Sequence, residues 1–145
     1  MNHAGFFQRF IAYLVDNIMI AVIGSILGGC CGVLIFSLLG SDEDAVVWLS
    51  ILLSCGLFFV LTLLQFLYFG YFWSRDGRSL GMRLMNIKVI KTDGSLMTFL
   101  IAGLRGSVGY WISSFIFGLG FLWALIDDEK RAWHDMIFNT SVVEE

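Results

Sequence analysis

Two residues of opposite charge lie at the start of a long apolar stretch near the beginning of the sequence. Arg9 and Asp16 are seven positions apart, which on an α-helix is two turns, or about 10.5 Å, along one face. No charged residue follows Asp16 until Asp42, and a carboxylate in such surroundings usually faces a bundle interior or a cavity. Asp16 could therefore take up a cation or a proton on a transport path, with Arg9 tuning its charge. In the alternative interpretation, Asp16 pairs permanently with an arginine of another segment and holds the helices together.

Three further polar residues interrupt apolar sequence and need partners there. Asn17 adds an amide beside Asp16, and Gln65 lies within a second apolar stretch. A hydrogen bond between helices or a contact with a ligand would satisfy Gln65. Arg105 comes just before a third stretch, where its side chain either extends to the lipid headgroups or reaches Asp16 in the interior. All three are candidates for an ion or proton site.

The polar tail contains His134-Asp135, a pair that can indicate a metal site or an acid–base dyad. The only other histidine is His3, and no Ser or Cys nucleophile is placed with the pair, so neither kind of site is expected. We interpret Asp135 as a helix cap or as the partner of a cytoplasmic arginine, and add it to the ion-site candidates. We expect no bound metal, no cofactor and no enzymatic activity.

The amino-acid composition indicates whether these residues lie in a water-soluble protein or in a membrane protein. Hydrophobic residues make up 58% of the 145 positions and charged residues only 14%, against about 25% charged residues in soluble domains. A fold of this size leaves much of its surface exposed and cannot hide so much apolar area from water. An independently soluble enzyme or a nucleic-acid-binding domain is therefore not expected, and the lipid bilayer is the expected partner.

Charge-free runs at 17–41, 45–74 and 106–126 indicate three apolar segments at about 10–39, 45–73 and 106–126, with a loop at 74–97 and a polar tail at 127–145. A membrane-spanning helix needs about 20 mostly apolar residues, so each segment is long enough to cross once. We therefore predict a single domain over 1–145, an all-α membrane bundle of three hydrophobic segments with a short cytoplasmic β element. Three segments make a thin wall for a pathway, so a homo-oligomer is expected.

The third segment has two possible courses. If 106–126 crosses the membrane once, the tail ends on the outer side. If it re-enters, with a break at Gly118 and Gly120, the tail returns to the cytoplasm. There Thr140–Val143 could pair as a strand with Ile87–Ile90, which precedes an Asp-Gly turn.

The distribution of basic residues predicts the orientation. The loop 74–97 contains five of the nine Lys and Arg residues, whereas the connection between the first two segments contains none. Basic loops remain in the cytoplasm. The loop and the N-terminus are therefore predicted to be cytoplasmic in a multi-pass protein of the cell membrane, the inner membrane if the source is bacterial.

Small residues on the first segment predict close helix packing. Gly24, Gly28 and Gly32 recur every four residues, a spacing that lets two helix backbones approach, within or between subunits. Ser50 and Ser54 on the second segment are the expected counterpart.

Taken in order, these residues resemble the RDD family of small membrane proteins, named for one arginine and two aspartates. The resemblance begins at 4–16, which contains Arg9 and Asp16. It continues through Gly77-Arg78-Ser79-Leu80-Gly81-Met82-Arg83 and Arg105, and it closes at Trp133-His134-Asp135 and 140–143. Asn139 stands where the family pattern has a glycine.

The resemblance implies membrane transport, with cation/proton exchange as the associated activity, and makes Asp135 the second aspartate. The predicted function is a small transporter of monovalent cations and/or protons that uses an intramembrane Arg/Asp set. The alternative is a non-catalytic scaffold or accessory subunit in which that set is a structural lock.

Overall fold

Two long apolar helices dominate the structure, a computed structural model that describes residues 3–39, 43–115, 119–127 and 130–144. Helix α1 covers Phe6–Leu39 and helix α2 covers Glu43–Arg75. Both are long and apolar enough to cross a membrane, and most of their apolar surface is exposed. The two predicted segments at 10–39 and 45–73 are therefore confirmed as continuous helices.

Helices α1 and α2 pack through two of the three predicted glycines. A Cβ atom on Gly24 would lie 3.0 Å from Leu61 Cδ1, and one on Gly28 would lie 3.2 Å from Leu57 Cδ2. A Cβ on Gly32 would meet no described atom within 4 Å. The expected serine counterpart was wrong, because leucines occupy the facing positions and both serine hydroxyls donate to carbonyls of their own helix.

The remaining elements are short. They are helix α3 (Leu80–Leu84), strand β1 (Ile87–Lys91), helix α4 (Phe99–Leu104), a π-helical turn (Arg105–Gly109), helices α5 (Tyr110–Phe115) and α6 (Leu119–Leu122), a 3₁₀ turn (Trp123–Leu125), helix α7 (Trp133–Ile137) and strand β2 (Thr140–Glu144).

The predicted third span does not form one helix. Gly120 packs so closely on Ser113 that a Cβ there would lie 2.6 Å from the Ser113 Cα. Seven residues of continuous helix would separate these positions by about 10.5 Å. The chain therefore folds back between α5 and α6, and the single-crossing alternative for 106–126 was wrong. Of the two glycines proposed for the break, Gly118 lies outside the described residues, and Gly120 instead permits the close contact.

The strand pairing expected for a returning tail is present. Strands β1 and β2 are antiparallel, with Ile87 opposite Glu144 and Val89 opposite Val142. The amide of Ala4 donates to the Val142 carbonyl at 3.0 Å, which brings the chain before α1 to the same sheet.

The buried core lies at this end of the molecule. We call it the sheet end; it consists of β1, β2, α3, α7, the adjoining ends of α1 and α2, and the residues of 97–110 that pack on them. Its core residues include Ala4, Ala12, Phe69, Trp73, Met82, Ile87, Val89, Met97, Ala102, Tyr110 and Val142.

Candidate functional site

Asp135 lies at the centre of a charged cluster at the sheet end. It is the third residue of α7, where its Oδ2 accepts the amide of Ala132 at 3.1 Å and caps the helix. Arg9 Nη1 donates to the same oxygen at 3.1 Å, and Arg105 Nη2 donates to Oδ1. Thr140 donates to Oδ1 at 3.3 Å. The carboxylate thus joins α1, the π-helical turn, α7 and β2, and both parts of its predicted role, cap and arginine partner, are present.

Arg105 is fully buried, so it neither extends to the surface nor reaches Asp16. The π-helical turn directs its side chain into the sheet end, where Nε donates to Thr140 Oγ1 at 3.0 Å. Its guanidinium lies over the ring of Trp73, 4.5 Å from the ring centre. A cation–π contact of this kind contributes more when it is removed from water.

The cluster has a defined charge state. Burial disfavours ionisation of Asp135, but the positive charges of Arg105 and Arg9 outweigh it and hold the pKa of Asp135 well below its usual range. Burial lowers the pKa of His134 to about 3, which leaves its ring neutral at physiological pH. Its Nδ1 shares a hydrogen bond with the hydroxyl of Ser113 at 2.8 Å.

Asp16 occupies a separate site and has no basic partner among the described residues. Oδ1 accepts the Tyr68 hydroxyl at 2.8 Å and the Gly81 amide at 2.9 Å, and Oδ2 accepts the Ser79 hydroxyl at 2.5 Å. Only 2% of Asp16 is exposed. The alternative interpretation, in which Asp16 pairs with an arginine of another segment, is therefore wrong, and Arg9 contacts Asp135 instead.

The close contact between α1 and α3 explains the glycine at position 81. A Cβ there would collide with the main-chain carbonyl of Ala12. Without a side chain, the Gly81 amide can approach Asp16 closely enough to donate to it. Sequence reasoning missed Ser79 and Tyr68 as partners of Asp16, although Ser79 lies inside the Gly-x-Ser-Leu-Gly motif that was singled out.

Asn17 and Gln65 meet across α1 and α2, as the predicted cross-helix hydrogen bond requires. The distance from Gln65 Nε2 to Asn17 Oδ1 is 3.5 Å, and Asn17 Nδ2 also donates to the Tyr13 carbonyl at 2.8 Å. Both side chains line a wide cavity of about 740 Å³. The structure thus divides the predicted site residues into three groups: the Asp135 cluster, the Asp16 site and this amide pair.

Two apolar helices joined to a charged, buried sheet end define a protein of membrane type. A model of the RDD family matches residues 3–139, and the chain belongs to that family. It is similar to the uncharacterized protein YxaI of Bacillus subtilis (strain 168), 27% identical over 149 residues that cover 97% of this chain and 96% of that protein. It is 31% identical to the uncharacterized protein YckC of the same organism over 144 residues, which cover 96% of this chain and 83% of that protein. No solved structure matches the chain.

Proposed function

We propose that the protein is a multi-pass transporter of monovalent cations and/or protons, in which Asp16 is the exchanging group. The observation that supports this most directly is that a buried carboxylate on an apolar helix is held by neutral donors alone. A carboxylate without a fixed counter-ion can bind a proton or a small cation, whereas one that is held by two arginines is already neutralised.

The Asp135 cluster has a structural role in this proposal. Arg9 and Arg105 contact Asp135 and not Asp16, so they hold the sheet end together and do not tune the exchanging carboxylate directly. Asn17, the neighbour of Asp16, and Gln65 line the 740 Å³ cavity, and Asp16 itself does not. In this proposal an ion enters the cavity and passes from the two amide groups to Asp16.

The orientation belongs to the same proposal. Residues 3–4, the loop 74–97 and strand β2 meet at the sheet end, so they lie on one side of the membrane if α1 and α2 both span it. This arrangement puts the basic residues of the loop together with Lys130 and Arg131, and the positive-inside rule makes that side cytoplasmic. A homo-oligomer supplies the walls that two helices alone cannot form around a path.

The test is proton flux in proteoliposomes under imposed Na⁺, K⁺ and Li⁺ gradients. Asp16→Asn removes the charge while keeping a side chain of the same size. Asp93→Asn makes the same chemical change in the exposed loop and is the matched control. We expect cation-dependent flux from the wild type and from Asp93→Asn, and a loss of at least tenfold in a monodisperse Asp16→Asn protein. The proposal is wrong if the wild type gives no flux above empty vesicles, or if Asp16→Asn retains it.

A non-catalytic scaffold is the second candidate function. It is favoured by the buried network of Asp135, Arg9 and Arg105, which connects four elements. Under this proposal Asp16 is also a lock, and Asp16→Asn gives an aggregated or unstable protein. Size-exclusion chromatography of the variants, made before any flux measurement, separates the two proposals.

A further inference from the structure

A cavity of about 340 Å³ opens beside the Asp135 cluster, between the first turns of α1 and the returning α5–α6 hairpin. Its polar lining comes from Arg9, Arg105, His134 and Asp135, and most of the rest is apolar. Asp16 is not among its lining residues.

The cavity contains one unbalanced positive charge. Two arginines and one aspartate line it, and His134 is neutral. No other acidic or basic side chain of the described residues lines this cavity. An arginine side chain stays protonated in proteins, and a buried charge without a counter-ion is strongly unfavourable. The residues that line the cavity therefore carry one positive charge more than they balance among themselves.

Two guanidinium nitrogens lack the partner that such an anion would provide. Arg105 Nη1 and Arg9 Nε are buried and have no hydrogen-bond partner among the described residues, and Arg105 as a whole is 0% exposed. Guanidinium groups bind phosphate and carboxylate oxygens through paired N–H donors.

The apolar part of the lining fits a hydrocarbon chain. Phe6, Phe10 and Leu122 line the cavity, and Phe10 and Leu122 are also 48% and 42% exposed, respectively. The cavity lies at the first residues of the apolar helix α1. If α1 spans the bilayer, this is the level at which lipid headgroups meet acyl chains.

We propose that this cavity is a binding site for an anionic phosphate group, supplied by an acidic phospholipid whose acyl chain lies along Phe6, Phe10 and Leu122. The phosphodiester oxygens accept hydrogen bonds from Arg9 Nε and Arg105 Nη1, and the negative charge of the phosphate balances the excess positive charge of the cavity lining. The site goes beyond the transport proposal and does not depend on Asp16.

Native mass spectrometry of the full chain in detergent tests the site. The probes are phosphatidylglycerol, phosphatidylcholine with the same acyl chains, and inorganic phosphate. We expect phosphatidylglycerol to be retained at least tenfold better than phosphatidylcholine, and inorganic phosphate not to compete with it. Asp16→Asn is expected to bind like the wild type, so this proposal and the transport proposal can fail separately.

Two variants act on the site by different means. Arg9→Gln makes the cluster neutral, and Ala124→Leu fills the cavity while leaving every charge in place. Each is expected to weaken phosphatidylglycerol binding at least tenfold. Arg75→Gln removes an exposed positive charge from the sheet end outside the cavity and should have no effect.

Three results would overturn the assignment. Equal retention of the two lipids excludes recognition of net charge, and unchanged binding by Ala124→Leu excludes the cavity. Competition by inorganic phosphate at the affinity of phosphatidylglycerol excludes a lipid as the preferred source of the anion. Because Ala124→Leu keeps both arginines paired with Asp135, the site remains testable if Arg9→Gln does not fold.

Discussion

Asp135 combines three tasks in one side chain. It caps α7, forms an ion pair with Arg105 and forms a second ion pair with Arg9. A buried ion pair adds little stability relative to apolar residues of the same volume, but removing one partner leaves a charge stranded away from water. Removing Asp135 should therefore destabilise the protein mainly because two buried arginines lose their counter-ion. The net contribution of the ion pairs themselves is smaller.

We expect Asp135→Asn to lower the free energy of unfolding by about 3–5 kcal/mol, because Arg9 and Arg105 lose their shared counter-ion. The measurement is thermal or denaturant unfolding in detergent, followed by tryptophan fluorescence. Asp93→Asn, in the exposed loop, keeps an oxygen that can accept the Ser95 amide and should leave the free energy of unfolding close to that of the wild type. Equal effects of the two substitutions would contradict the central role of Asp135.

The neutral state of His134 predicts a pH dependence. Burial lowers its pKa from 6.5 to about 3, so the unfolded chain binds the proton more readily than the folded one. The contribution of His134 is therefore complete above pH 6.5 and is lost as the pH falls towards 3, at no more than about 1.4 kcal/mol per pH unit. Asp135, with its lowered pKa, loses its contribution only at still lower pH, below 3.8.

Unfolding measured between pH 7 and pH 4.5 covers the upper part of the range in which His134 loses its contribution. We expect the wild type to lose stability over this range and His134→Asn, whose amide can still meet Ser113, to show a flatter dependence. The charged groups that His134 faces are Asp135, Arg105 and Arg9. A wild-type stability that stays constant down to pH 4.5 would refute the buried neutral ring.

At the scale of elements, α3 is held against α1 by a contact that tolerates no side chain. Gly81→Ala forces a Cβ into the Ala12 carbonyl and pulls the Gly81 amide away from Asp16. We expect a loss of about 1–3 kcal/mol in unfolding free energy, the usual range for overpacking. Thermal unfolding in one detergent is the measurement.

Gly32→Ala is the matched control for that substitution. The added methyl group meets no described atom within 4 Å, and replacing a helix-interior glycine gains about 0.5–1 kcal/mol. Gly81→Ala should thus lower the free energy of unfolding, and Gly32→Ala should raise it. A destabilised Gly32→Ala protein would indicate that a second copy of the chain packs on this face.

The elements differ in how far the sequence predicts them. α1 and α2 follow from length and hydropathy, and the β1–β2 pair follows from short β-prone runs. The third apolar segment has the length of a span, but hydropathy measures only composition and not whether a segment doubles back. The close approach of Ser113 and Gly120 depends on packing against the rest of the protein. It cannot be predicted from the sequence of the third segment alone.

Site partners were less predictable than the site residues themselves. Arg9, Asp16, Arg105 and Asp135 all stand out as charges in or beside apolar sequence. Helical spacing relates Arg9 to Asp16 because they share a face, but the actual partner of Arg9 lies 126 residues away. Long-range pairs of this kind are determined by the fold and cannot be predicted from the spacing of residues along one helix.

At the scale of the whole molecule, residues 3–4, the loop 74–97 and β2 share one side of the proposed membrane. Cysteine labelling with a membrane-impermeant maleimide tests this in a background without Cys30, Cys31 and Cys55. We expect Asp44→Cys to react in intact cells, and Ser95→Cys and Glu144→Cys to react only after permeabilisation. Labelling of Ser95→Cys and Glu144→Cys from opposite sides would contradict the returning tail.

The contacts of the sheet end join residues from opposite ends of the sequence, and this limits when the sheet end can form during biosynthesis. Arg9 leaves the ribosome 126 residues before Asp135, and His3 leaves it 138 residues before its hydrogen-bond partner Ser141. Both apolar helices are therefore complete, and Arg105 is already synthesised, before its counter-ion exists. The sheet end can close only after translation of β2, so a ribosome stalled before Asp135 would hold a nascent chain whose arginines remain open to solvent or to chaperones.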